Sequence, residues 1–167
     1  MKEFVIPFMG LGVGSHVFEF EIGNEFFDSF EYFEGISGKA NININLLKES
    51  NMLIFDFNIK GELNLQCDRC LDYFKHKIEG QNKLIVKFGN EFLEESEDVI
   101  VIAVSDSRID LRQFIFEYVN MLLPLKKIHP KDENGKRACD KEIIDRIDKY
   151  SKLKTDPRWD ALKGLKI

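Results

Sequence analysis

Long hydrophobic runs are missing from this chain. No stretch of the 167 residues approaches the roughly 20 consecutive apolar residues that a membrane-spanning helix requires, so no membrane role is expected. Cysteine is scarce. There are three, and two of them sit together as Cys67-x-x-Cys70, so a paired disulfide framework would leave one thiol over. That usage fits a reducing compartment, and the expected location is cytoplasmic. The opening Met1–Pro7 has neither the longer apolar region nor the small-residue cleavage site of a secretory signal, so none is expected. Histidine is limited to His16, His76 and His129, and none has a Ser, Cys or carboxylate arrangement resembling a catalytic triad. HExxH, P-loop and EF-hand spacings are absent, as are internal repeats and low-complexity segments. These absences point away from an enzyme.

Core-forming material is plentiful. The chain is 44% hydrophobic and 12% aromatic, with 15 Phe, which excludes intrinsic disorder, and its length suits one domain. Net charge is −5, which argues against a protein that coats nucleic acid with its whole surface. The charge is unevenly placed. Residues 121–167 hold 13 basic against 8 acidic side chains, whereas residues 1–120 hold 11 basic against 21 acidic. An acidic body thus carries a basic C-terminal third. That third reads either as a solvated set of helices or as an arm that meets phosphate.

Periodicity gives an α+β fold class: an antiparallel β-sheet with a long central hairpin, helices packed on it and a helical C-terminus. We expect a single domain over 1–167, with a β-rich N-terminal part containing one helix (1–48), the long β-hairpin and a further strand (49–105), and a helical C-terminal part (106–167). Met1–Pro7, Val13–Ile22 and Asn41–Leu46 read as strands. Asn24–Phe33 reads as a helix capped by Asn24, with Phe26, Phe27, Phe30 and Phe33 on one face. The strongest pattern runs from Leu53 to Cys67, where Phe55, Phe57, Ile59, Leu63 and Leu65 alternate with Asp56, Asn58, Lys60, Glu62, Asn64 and Gln66. Strict alternation of this length is a half-buried antiparallel strand. It pairs naturally with Phe74–Phe88, and Cys67-Asp68-Arg69-Cys70 falls at the connection. Glu94–Glu97 reads as an acidic loop before a strand at Asp98–Val104.

From Asp110 the period changes. Leu111, Phe114, Ile115, Tyr118, Val119 and Leu122 mark an amphipathic helix capped by Asp110 and stopped by Pro124. Residues 126–139 read as loop. Lys141–Leu153 reads as a helix with Ile143, Ile144, Ile147 and Tyr150 inward, and Asp156-Pro157 opens a short helix with Trp159, Leu162 and Leu165.

Gly10, Gly12 and Gly14 suggest a phosphate-cradling loop, but Phe18-Glu19-Phe20-Glu21-Ile22 beyond them looks extended and offers no helix N-terminus, so a turn between strands is the reading. Cys67-x-x-Cys70 has three explanations. A redox pair wants a helix N-terminus, yet Leu71–His76 alternates like a strand, which disfavours thiol–disulfide exchange. In the bland alternative Cys67 completes the inward row below Leu65, and Cys70 and Cys139 are incidental thiols. A metal knuckle suits a hairpin turn, and zinc wants two further ligands. His129 and Cys139, with nine residues between them in the loop after the long helix, are available, which makes Cys67, Cys70, His129 and Cys139 a candidate zinc set. Arg69 in the turn, Lys126, Lys127, Lys131, Lys136 and Arg137 in the loop, and Arg158 beside Trp159 could hold phosphates or stack bases. For Trp159 the spacing with Leu162 favours packing against the domain.

These residues recur in one order. Cys67-Asp68-Arg69-Cys70-Leu71 follows a long alternating strand, and Ile109-Asp110-Leu111 opens a helix ending Leu122-Leu123-Pro124-Leu125. His129 and Cys139 come next, then Asp156-Pro157-Arg158 with Leu162 and Leu165. The set resembles the YceD-like family, the large ribosomal RNA subunit accumulation proteins of bacteria with plastid relatives, over about residues 50–167. The resemblance implies a non-enzymatic ribosome-biogenesis factor supporting 23S rRNA accumulation or processing and large-subunit assembly. It implies no catalytic residue and requires no cofactor, leaving zinc open. The expected partners are 23S rRNA or a pre-large-subunit particle, and a ribosomal protein or maturation enzyme. The expected contact residues are Arg69, Lys126, Lys127, Lys131, Arg137 and Arg158. The alternative reading is a protein–protein adaptor with a structural CxxC zinc knuckle and no direct RNA contact.

Overall fold

The computed structural model describes residues 4–30, 36–131, 133, 135, 138–151 and 158. In chain order the elements are β1 (Val5–Ile6), β2 (Gly14–Ile22), α1 (Asn24–Asp28), β3 (Ser37–Lys48), β4 (Met52–Gln66), β5 (Tyr73–Gly89), β6 (Leu93–Ser96), β7 (Val99–Ala103), β8 (Ile109–Asp110), α2 (Arg112–Met121) and α3 (Lys141–Ser151). They fall into two compact units. Met1–Gln66 with Tyr73–Lys127 form the first, and Cys67–Asp72 with Ile128–Ile167 form the second.

The first unit is built on a six-stranded sheet of order β2-β3-β4-β5-β7-β6, with β1 and β8 paired separately. Alternation in the sequence becomes a two-faced sheet. Ile42, Ile44 and Leu46 of β3, the odd-numbered Leu53, Phe55, Phe57, Ile59, Leu63 and Leu65 of β4, and Ile78, Leu84 and Val86 of β5 share one face and are buried. The polar face holds cross-strand ion pairs. Lys60 and Glu79, directly opposite each other, are 2.8 Å apart, and Asp56 and Lys83 are 3.3 Å apart.

Helix α2 lies on the apolar face. The Tyr118 ring meets Phe57 edge-on with centroids 5.0 Å apart, and its hydroxyl donates to the Lys83 carbonyl at 3.4 Å. Phe30, just beyond α1, stacks on Phe116 of α2 at 4.1 Å, while Phe26 meets Phe4 at 5.2 Å. The aromatic residues of the α1 region therefore join the core, as their spacing predicts. Phe33 lies outside the described residues.

The structure differs from the sequence reading at several points. The sheet is not wholly antiparallel: β7 runs parallel to β5, because the chain leaves β5, crosses to the outer edge as β6 and returns between them. Glu94 and its neighbours form that edge strand, β6, where a loop is expected; its side chains are all exposed, so no burial period marks it. Helix α1 ends at Asp28, and its N-cap is Gly23. The Asn24 carboxamide oxygen instead accepts the Gly38 N–H at 2.9 Å, tying α1 to β3. Asp110 does accept the Arg112 N–H at 2.9 Å, although it stands one position before the N-cap, Leu111. In α3, Ile143 and Ile144 are half-buried, but Ile147 and Tyr150 are exposed rather than inward. Trp159, Leu162 and Leu165 lie outside the described residues.

Candidate metal centre

β4 ends at Gln66 and β5 begins at Tyr73, so residues 67–72 reverse the chain. The Cys67 N–H donates to the Asp72 carbonyl at 2.8 Å, and the Leu71 N–H returns to the Cys67 carbonyl at 2.9 Å. Closing the bend places Leu71 in the left-handed region, with φ of 61°. This compact bend folds both thiols inward, leaving Cys67 0% and Cys70 2% exposed. Arg69, between them, is exposed.

The other two donors come from the segment after α2. His129 is 5% exposed and Cys139 is half-buried. One donor atom from each of Cys67, Cys70, His129 and Cys139 lies within 4.8 Å of all the others. His129 Nδ1 stands 3.5 Å from Cys70 Sγ and 3.6 Å from Cys139 Sγ. Tetrahedral zinc, with Zn–S near 2.3 Å and Zn–N near 2.0–2.1 Å, would set a sulfur–nitrogen edge of about 3.6 Å. The spacing fits a metal of that size, and all four donors belong to the second unit. These four side chains can bind a metal ion.

Local electrostatics suit the same use. Burial pushes the Cys67 thiol up, but backbone N–H groups of Cys70, Arg69 and His129 and the His129 ring outweigh it and bring it down to about 6. Cys139 is pushed up to about 11 by burial and by the Cys67 and Cys70 sulfurs beside it. One sulfur is held ready as thiolate while a neighbour resists adding a second negative charge, and a divalent cation would relieve that conflict. A low thiol pKa also characterises redox cysteines, yet those are partly exposed and Cys67 is buried. Four protein donors would complete a tetrahedral shell around such an ion and leave no open position, as in structural rather than catalytic zinc sites.

Asp140, directly after Cys139, was not among the residues singled out by pattern. Its carboxylate accepts the Glu142 N–H at 2.8 Å and the Ile143 N–H at 3.3 Å, so it caps α3 and fixes where the helix leaves the cluster. An Asp just before a helical run is the available sequence signal. Of the basic residues expected at a contact surface, Arg69, Lys131 and Arg158 are exposed in the second unit. Lys126 is exposed and Lys127 half-buried, both in the first. Lys136 and Arg137 lie outside the described residues.

Comparison with known families matches residues 55–166 to the family described as large ribosomal RNA subunit accumulation protein YceD. The chain belongs to the YceD family. The matched span contains all four cluster residues. Among individual relatives, the uncharacterized protein YlbN of Bacillus subtilis (strain 168) is 30% identical over 135 residues, covering 78% of this chain and 72% of YlbN. No solved structure matches. The family is named for accumulation of an RNA rather than for a reaction.

Proposed function

We propose that this protein is a non-enzymatic, cytoplasmic factor that supports 23S rRNA accumulation or processing, and thereby large-subunit assembly. In this reading zinc occupies Cys67, Cys70, His129 and Cys139 and staples the β4–β5 turn to the segment beyond α2. The observation that carries the proposal is the four-donor cluster within a family named for large-subunit RNA: it joins sequence-distant segments that also bear exposed cations. Arg69, Lys131 and Arg158, and by their sequence Lys126, Lys127 and Arg137, are the residues assigned to contact 23S rRNA or a pre-large-subunit particle.

The test pairs cells with purified protein. Arg69→Ala together with Arg158→Ala should lower 23S rRNA levels, and binding to 23S fragments should weaken steeply as salt rises, since released counterions drive phosphate contacts. Unchanged rRNA with salt-insensitive binding would remove these residues from the account. The second reading, an adaptor that uses the same zinc knuckle without touching RNA, draws on the 21 acidic against 11 basic residues of 1–120. It predicts co-purification with a ribosomal protein or maturation enzyme that survives nuclease treatment.

A further inference from the structure

The two ends of the six-stranded sheet are treated differently. β6 is four residues long, carries a register shift between Glu94 and Ser96, and exposes every side chain. Shortness, irregularity and charge are the usual means by which a sheet edge is closed to other chains. β2, at the opposite end, is neither short nor irregular, and its only charged side chains are the two carboxylates Glu19 and Glu21. It runs for nine residues in unbroken register with β3, from Gly14↔Lys48 to Ile22↔Ala40. It contains no Pro, no Lys and no bulge, and among the described residues no strand pairs with its outer side. Val17, Phe18, Phe20 and Ile22 keep it extended. A straight edge of this length presents a row of backbone donors and acceptors ready for another strand.

We propose that the β2 edge receives an extended peptide with Lys or Arg at alternate positions, which adds to the sheet as a further strand. The side chains select the occupant. Ser15, Val17, Glu19 and Glu21 are exposed on one face of β2, while His16, Phe18 and Phe20 are half-buried on the other. An added strand places residues opposite Glu19 and Glu21 on one face, two positions apart, and sends the intervening side chain toward Phe18 and Phe20. Glu21 reaches Lys39 only at 3.8 Å, and Glu19 has no cationic partner among the described residues. The matching sequence therefore alternates basic and apolar residues. The acidic excess of residues 1–120 draws in a cationic chain and opposes both a second copy and a polyanion. Main-chain bonding supplies affinity, and the paired carboxylates supply choice. The inference concerns the first unit alone and stands apart from the rRNA reading.

The test uses the full chain and a labelled synthetic peptide of alternating Lys and Val, about ten residues long. A control peptide of the same composition arranges its lysines and valines in two blocks. Anisotropy should show the alternating peptide binding about tenfold more tightly than the blocked one. Deuterium exchange should slow across residues 14–22 and not across β6. Glu19→Lys with Glu21→Lys should weaken binding about tenfold or more, and Glu19→Gln with Glu21→Gln provides the same comparison should charge reversal disturb folding. Equal binding of both peptides, unchanged exchange across 14–22, or binding indifferent to these substitutions would overturn the proposal. So would concentration-dependent dimerisation that protects β2, which would make the occupant a second copy.

Discussion

Cys70 Sγ stands 3.5 Å from His129 Nδ1, although the two residues are 59 positions apart along the chain. Holding such distant segments together is costly in chain entropy, and thiol–imidazole contacts alone offset little of it. A metal ion changes that balance. Purified under reducing conditions, the protein should carry one zinc ion per chain by elemental analysis. Cys70→Ser and His129→Ala should each lose most of it. Chelation should destabilise the second unit by several kcal/mol, since site formation and folding are linked. The circular dichroism of the sheet should persist, because its core is made within the first unit. Protein free of any transition metal in such a preparation would sink the zinc reading.

Leu71 supplies a second prediction. Its φ of 61° puts a side chain with a Cβ where Gly and Asn are preferred, at a cost of roughly 1–2 kcal/mol. The side chain is 64% exposed, so replacing it forfeits little burial. Leu71→Asn should raise stability by about 0.5–1 kcal/mol, as Asn enters this region more readily without the extra unfolded-state freedom of Gly. Denaturant melts of the two proteins check it, and a less stable variant would mean that Leu71 is held there by packing.

How much of this was legible in sequence depends on what each pattern reports. Alternation reports burial, so Leu53–Cys67 and Phe74–Phe88 gave strand, facing and partner together. Strand direction leaves no such mark: Val99–Ala103 looks the same whether parallel or antiparallel to β5, and only the crossover through β6 decides. β6 itself was hidden because a fully exposed edge strand has the composition of a loop. The cluster was half visible. Cys67-x-x-Cys70 has a recognisable knuckle spacing, whereas His129 and Cys139 could be assigned to it only because few other donors were available. Spacing on a helix reported an amphipathic face in α3 but not a partner for it, which is why Ile147 and Tyr150 were misplaced.

Gly61 breaks the inward row of β4 for a steric reason. A Cβ there would overlap the Lys39 carbonyl oxygen and come within 2.5 Å of the Ala40 Cβ, its neighbour across β3. Backbone cannot yield as a flexible side chain would. Gly61→Ala should therefore destabilise the first unit by about 1–3 kcal/mol while leaving zinc content unchanged. Thermal melts alongside metal analysis test both halves, and a neutral substitution would show that β3 and β4 can separate locally at little cost.

Tyr118 makes alkaline pH a probe of the helix–sheet contact. Burial first, then the carboxylates of Asp98 and Glu117, push its phenol up to about 12. Both causes disfavour the phenolate in the folded protein, whereas an unfolded chain ionises tyrosine near 10. The folded-state pKa of this acid is raised, so its stabilising contribution is complete below about 10 and is lost as pH climbs through about 12. Ultraviolet titration should show one tyrosine still protonated well above pH 10 in the native protein. Tyr118→Phe should remove that late step and flatten the loss of stability at high pH. If every tyrosine ionises together while the sheet remains folded, Tyr118 is not sealed between α2 and β4.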